Sequence, residues 1–113
     1  MNKPGTIITI LTMGLIMLAL TAIGQENYEI RSVAEAAVTE NGTWVTVQGN
    51  ITEKLRDNYF LLVDETGQIE LKIRGDEWGQ YSYDPEKIAQ VYGKIFREDG
   101  VAKIEAKKVM YID

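Results

Sequence analysis

Residues 68–74 read Gln-Ile-Glu-Leu-Lys-Ile-Arg, an alternation that only an extended strand can satisfy. Ile69, Leu71 and Ile73 fall on one face and Glu70, Lys72 and Arg74 on the other. Such a strand needs hydrogen-bonding neighbours on its edges and a core on one side, so the chain must build a sheet that is covered or closed. The neighbours are legible. Asp64-Glu65-Thr66-Gly67 is a four-residue hairpin turn, with an Asp able to accept from the backbone ahead of it. It joins the alternating strand to 59–63, which is apolar on both faces. Upstream, 44–51 alternates again, with Val45, Val47 and Ile51 inward and Trp44, Thr46, Gln48 and Asn50 outward. Gly49 interrupts the inward row, where a strand in a small barrel must bend or admit another backbone.

The remaining chain completes a series. Ser32-Val33-Ala34-Glu35 is a capping box opening a helix through Val38, which Asn41-Gly42 ends. Residues 54–58 are a polar connection between the first two strands, and 75–83 are an aromatic loop. Asp84-Pro85-Glu86 has the cap, first-turn proline and first-turn acid of a short helix over 84–89. A fourth strand spans 90–96 around Gly93, Glu98-Asp99-Gly100 turns the chain, and a fifth spans 101–112. Three strands, a short helix and two strands, with a hairpin between the second and third, is the order of the OB-fold, a five-stranded Greek-key barrel. The fold class is therefore all-β with a short N-terminal helix and a second short helix between the third and fourth strands. Its core is expected from Val45, Val47, Ile51, Leu62, Ile69, Leu71, Ile73, Val91, Ile95 and Ile104.

Before this domain lies a segment of another kind. Lys3 is its one cation, 7–23 carries no charge, and Ala22-Ile23-Gly24 places small residues one and three positions before Gln25. This is the layout of a secretory signal, residues 1–24, cleaved ahead of an OB-fold domain at 25–113. An uncleaved anchor is the alternative, because the run sits at the lower edge of what spans a bilayer. Cleavage implies a periplasmic or otherwise exported protein with no integral membrane association. All 17 acidic residues lie beyond Gly24 while Lys3 does not, so the domain carries about one negative charge more than the net −5 of the whole chain. That sign opposes sequence-independent binding of nucleic acid, whose affinity comes from phosphate neutralisation.

The chain has neither cysteine nor histidine, and Ser32 and Ser82 are the only serines. Ser-His and Cys-His nucleophile pairs, thiolate or imidazole zinc sites and the usual neutral-pH general base are thereby removed. No cofactor is implied. A glycosidase-like carboxylate pair would need a deep cleft that so small a barrel does not supply.

Val47-Gln48-Gly49-Asn50-Ile51, the run 60–69 (FLLVDETGQI) and Val91-Tyr92-Gly93-Lys94-Ile95 resemble the bacterial OB-fold family of periplasmic stress-tolerance proteins. The resemblance covers the chain from about Ser32. It implies an exported, non-enzymatic barrel that binds a small envelope ligand or a protein partner and contributes to stress tolerance. The chain departs from the family pattern after the fourth-strand glycine, where Ile95-Phe96-Arg97 stands in place of an element ending in Asp.

OB-folds bind on the outer face of their second and third strands, between the loops that follow strands one and four. Here that face would hold Tyr59, Leu61, Glu70, Lys72 and Arg74, flanked by Lys54 and Arg56 on one side and Arg97, Glu98 and Asp99 on the other. Trp78, with Tyr81 and Tyr83, could stack on a ring of a ligand or plug the barrel's open end. The candidate ligand-binding set is Lys54, Arg56, Tyr59, Leu61, Glu70, Lys72, Arg74 and Trp78. Asp76 and Glu77 with Asp64 or Glu65 make a weak cation site. Lys107-Lys108 would form a basic patch only if a bulge turned both outward. Three functions follow in order: an exported binding module, a single-stranded nucleic-acid-binding OB-fold, and a membrane-anchored interaction module.

Overall fold

The alternating segments pair into one sheet that closes on itself. The computed structural model describes residues 29–112, so the signal segment and its boundary at Gln25 lie outside the described residues. The elements are β1 (Ile30–Arg31), α1 (Val33–Ala37), β2 (Trp44–Arg56), β3 (Tyr59–Asp64), β4 (Gly67–Lys72), β5 (Ile88–Glu98) and β6 (Val101–Ile112), with a 3-10 turn at Gly75–Trp78. Their order in the sheet is β1-β2-β3-β4-β6-β5, and β2 also pairs with β5, which closes β2 to β6 into a five-stranded OB-fold barrel. The β4–β6 pair is parallel and supplies the Greek-key crossover. Every residue expected in the core is buried, joined by Val33, Ala36, Phe60, Ala89, Ala106 and Val109.

Closure depends on β2 changing partners along its length. Residues from Trp44 to Asn50 pair with β5, and residues from Asn50 to Arg56 pair with β3. Gly49 sits at the change-over, where the carbonyl of Val63 occupies the space a Cβ would need. Gly93 plays the same part on β5, against the carbonyl of Glu105.

Each end of the barrel is plugged. At one end α1 buries Val33 and Ala36, and the expected capping box is formed: Glu35 N–H donates to Ser32 Oγ at 3.1 Å and Ser32 N–H to Glu35 Oε1 at 3.0 Å. The helix is lashed to the β3–β4 hairpin by Asp64, which accepts from Val33 N–H at 2.9 Å, Thr66 N–H at 2.7 Å and Gly67 N–H at 3.1 Å. At the other end Phe60 meets Trp78 edge-on at 5.3 Å and Tyr83 at 5.6 Å, and Tyr81 meets Tyr111.

Three local expectations are corrected. The helix over 84–89 is a turn: Asp84 accepts from Glu86 N–H at 3.0 Å, Asn50 Nδ2 donates to the Lys87 carbonyl at 3.1 Å, and Ile88 and Ala89 are drawn into the β2–β5 ladder. The short helix between the third and fourth barrel strands is instead the 3-10 turn at Gly75–Trp78. Helix α1 ends at Ala37, one residue short of the expected Val38, where Arg97 takes the Ala37 carbonyl at 3.1 Å, and Gly42 N–H turns away to the Ile95 carbonyl at 2.8 Å. The polar connection over 54–58 shrinks to a turn at Asp57 and Asn58, since β2 runs on to Arg56. The two-residue β1, parallel to β2, had no signal in the sequence.

The Asp64 junction sets a pH dependence. Burial alone would push its carboxyl up, but hydrogen bonds from Thr66, Val33 and Gly67 hold it below the ordinary 3.8. A depressed folded pKa means this contribution is complete above the ordinary value and is lost as pH falls through the folded one. Asp64→Asn is expected to cost about 1–2 kcal/mol at neutral pH, where a charged acceptor is lost. It should also flatten the acid limb of the stability profile, measured as urea midpoints from pH 7 down to about pH 2. An unchanged acid limb would remove Asp64 from the account.

Candidate functional site

The outer face of β3 and β4 carries the residues expected of an OB-fold binding surface, and two bulges in β2 decide which of its side chains join them. Register slips between Ile51 and Glu53 and again between Lys54 and Arg56. Glu53 is thereby set opposite Leu61, and Arg56 opposite Tyr59, on the outer face. Lys54 is set opposite the inward Phe60, so it leaves at the barrel mouth, where Asp57 lies 3.9 Å away.

Tyr59 is the centre of the arrangement. The Arg56 guanidinium lies 3.9 Å from its ring centroid, Lys103 Nζ 5.3 Å and Lys72 Nζ 6.0 Å. Its hydroxyl donates to Glu98 Oε2 at 3.3 Å. Cations near a π face are held by the ring quadrupole, so Tyr59 works as a hub for positive charge. Beneath it runs a chain of ion pairs. Lys103 bridges Glu70 and Glu98 at 3.0 Å each, and Arg56 reaches Glu70 at 3.1 Å. The Lys103 side chain is 9% exposed, a burial that a lysine tolerates only when fully partnered.

The titration directions agree with this geometry. The hydrogen bond to Glu98, with that to Glu70, outweighs desolvation and raises Lys103. Burial would raise Glu70, but Lys103 and Arg56 hold it below the ordinary carboxylate value. Glu98 is lowered chiefly by the Lys103 hydrogen bond. Glu70, Glu98 and Lys103 are each held toward the charged form.

Of the expected site residues, Arg56, Tyr59, Leu61, Glu70 and Lys72 share this face. Arg74 does not join them: it pairs with Glu77 at 3.6 Å and Glu105 at 3.4 Å on the β6 side. Trp78 packs against Phe60 in the barrel plug, away from Tyr59. Arg97 turns from the end of β5 to the segment that follows α1, donating to Asn41 Oδ1 at 2.8 Å. In the suggested cation cluster, Asp64 is spent on the helix junction and Asp76 sits at the opposite end of the barrel. Lys103 escaped the sequence reading. Its β6 neighbours alternate in hydropathy around it, but only the parallel pairing of Glu70 with Lys103 shows what it meets.

Comparison with known proteins places the chain among relatives. The family model described as "Bacterial OB fold (BOF) protein" matches residues 21–111. The chain is 24% identical over 87 residues to Protein YgiW of Escherichia coli K12, covering 77% of this chain and 67% of that one. It is 33% identical over 67 residues to an uncharacterized protein of Haemophilus influenzae, spanning 59% of this chain and 55% of the relative. The solved structure of ygiW from E. coli superposes with a TM-score of 0.71 at 22% identity, over 78% of this chain and all of that one. Asparaginyl-tRNA synthetase from Pyrococcus horikoshii superposes at 0.62 with 18% identity, over 76% of this chain and 23% of the synthetase, a likeness of fold alone.

Proposed function

The chain belongs to the bacterial OB-fold protein family, and from that premise we propose that it is an exported, non-enzymatic binding module of the cell envelope that serves stress tolerance. The uncharged segment at 7–23 supports export, and the absence of cysteine and histidine supports binding rather than catalysis. The ligand seats on the outer face of β3 and β4, against Arg56, Tyr59, Leu61, Glu70 and Lys72. It is a small polar envelope molecule, such as a glycan fragment, or a short stretch of a protein partner.

One observation carries the reading: the ring of Tyr59 is already occupied by cations, and those cations are already paired with Glu70 and Glu98. A ligand with donors and acceptors in close alternation can exchange hydrogen bonds with such a network edge by edge. A polyanion must break the ion pairs to reach Arg56 or Lys103, and a nucleobase must displace the Arg56 guanidinium to stack. The single-stranded nucleic-acid reading is therefore disfavoured.

The decisive experiment is an amide-shift titration with envelope glycan fragments and short peptides. Shifts are expected to cluster at Arg56, Tyr59, Glu70 and Lys103 and to vanish in Tyr59→Ala. In parallel, fluorescence anisotropy with single-stranded oligonucleotides should give no Kd tighter than roughly 100 µM at physiological salt. Micromolar oligonucleotide binding that falls in Arg56→Glu/Lys72→Glu would overturn the assignment. Intact mass of the protein from the envelope fraction is expected to begin at Gln25.

A further inference from the structure

The outer face of β5 and β6 differs in kind from the Tyr59 face. Cross-strand rows place Trp44 beside Lys94, Tyr92 beside Lys108, and Ile88 beside Ile112. Trp44 is 45% exposed and stacks on Tyr92 at 5.0 Å, with Lys94 Nζ 5.2 Å from its ring. A bulge in β6 opposite the Tyr92–Gly93 step leaves Lys107 out of register, so Lys107 and Lys108 are both exposed instead of facing opposite ways. Lys94, Lys107 and Lys108 make no ion pair among the described residues; Glu105, the carboxylate opposite Lys94, is taken up by Arg74. Glu77 and Glu105 line one cleft with Lys94 and Lys107, but both are paired there with Arg74, so the three lysines leave a local excess of positive charge in a chain of net charge −5.

Apolar surface continues the same face. Ile88 is 47% exposed, and a groove of about 350 Å³ runs along Thr46, Gln90, Tyr92, Lys108 and Met110. The chain also enters the barrel here, since the exposed Ile30 pairs with Thr46.

We propose that this face docks the domain on an anionic phospholipid surface. Tryptophan settles at the headgroup boundary, lysines keep their ammonium groups among the phosphates while their stems cover apolar ground, and neighbouring aliphatics sit shallowly among the acyl chains. The β2–β5 and β5–β6 ladders set Lys94 and Lys108 on the same outer face as Trp44 and Tyr92, and the bulge adds Lys107, so cations and aromatic surface lie side by side as a headgroup layer over acyl chains requires. Their positive charge on an otherwise acidic protein also orients it, turning the acidic remainder away from the membrane. The Tyr59 face lies elsewhere on the barrel and stays open, so docking and ligand binding are separable.

The test follows Trp44 itself. Trp78→Phe leaves Trp44 as the single tryptophan. The protein purified from the envelope is titrated with vesicles of phosphatidylglycerol and phosphatidylcholine at roughly one to two, and with pure phosphatidylcholine. Trp44 emission is expected to shift to the blue with the anionic vesicles, with partitioning at least about tenfold above the neutral ones and weakening as salt rises. Lys94→Gln/Lys107→Gln/Lys108→Gln should lower that partitioning roughly 100-fold, about fivefold per lysine. Tyr59→Ala should leave it unchanged while abolishing the ligand shifts. Equal binding to both vesicle types, or a triple variant that binds like its parent with an unchanged circular dichroism spectrum, overturns the proposal. So does a single-stranded oligonucleotide that shifts Trp44 emission at lower concentration than the vesicles, which would assign the lysines to nucleic acid.

Discussion

Gly93→Ala is expected to remove about 3 kcal/mol or more of stability, at the upper edge of what one added methyl costs in a packed interior. The added carbon would collide with the Glu105 carbonyl and stand 2.7 Å from Ile104 Cγ2, and its closest obstacle is backbone that belongs to the next strand. A flexible side chain could swing aside; a ladder carbonyl cannot without parting β5 from β6. A domain of this size holds about 4–12 kcal/mol in all, so the substitution should leave a visibly unfolded fraction at physiological temperature. Thermal and urea unfolding followed by circular dichroism measure it. Gly75→Ala is the control, because no atom lies within 4 Å of its added carbon, and a change within about 0.5 kcal/mol is expected. If the two variants unfold alike, the close approach of β5 and β6 is not what closes the barrel.

Leu71→Ala is expected to cost about 2–5 kcal/mol, through lost transfer energy and the cavity left behind. Leu71 is fully buried at the centre of the row Phe60, Leu71 and Ile104, which spans β3, β4 and β6. Its neighbour Lys72 emerges on the other side of the same strand, so Lys72→Ala should move the urea midpoint by no more than about 0.5 kcal/mol equivalent. The contrast between adjacent residues tests the strand's facing directly. A large effect at Lys72 with a small one at Leu71 would mean that β4 is turned over.

Where local pattern and tertiary demand agreed, residue order was enough to read the structure. The alternation from Gln68 to Lys72, the Asp-Glu-Thr-Gly turn and the Ser32–Glu35 box appear as expected because each is satisfied by nearby sequence, whereas the last two residues of the expected strand, Ile73 and Arg74, leave it for the 3-10 turn. The failures share the opposite property. Asp84-Pro85-Glu86 has good helix-start chemistry, but Asn50, thirty-five residues earlier, claims the carbonyls that follow it. The bulges that bring Arg56 to Tyr59 and turn Lys107 outward leave no trace in hydropathy, since they are register slips between two strands and not properties of either. Lys103 reads as an ordinary solvated lysine until the β4–β6 crossover delivers Glu70 to it. The candidate site was thus partly legible: its β3 and β4 residues follow from alternation, and Arg56 and Glu98 from the loops that flank such a face, while the seating of Arg56 on Tyr59 and the part played by Lys103 depend on the register of one strand against another.

The change of partner along β2 has a consequence for how the chain reaches its native state. Trp44 must wait for Lys94, roughly fifty residues downstream, before the β5-facing edge of its half of the strand is paired. The hairpin of β3 and β4 and the far half of β2 can assemble early from nearby sequence, so a chain emerging from its N-terminus carries an open edge from Trp44 to Gln48 until β5 arrives. Long-range closure of this sort slows folding. An unpaired, partly apolar edge invites pairing with other chains in the interval. The vulnerable period in the life of this protein is therefore its synthesis, and chains ending before Ile88 should be the species that aggregate.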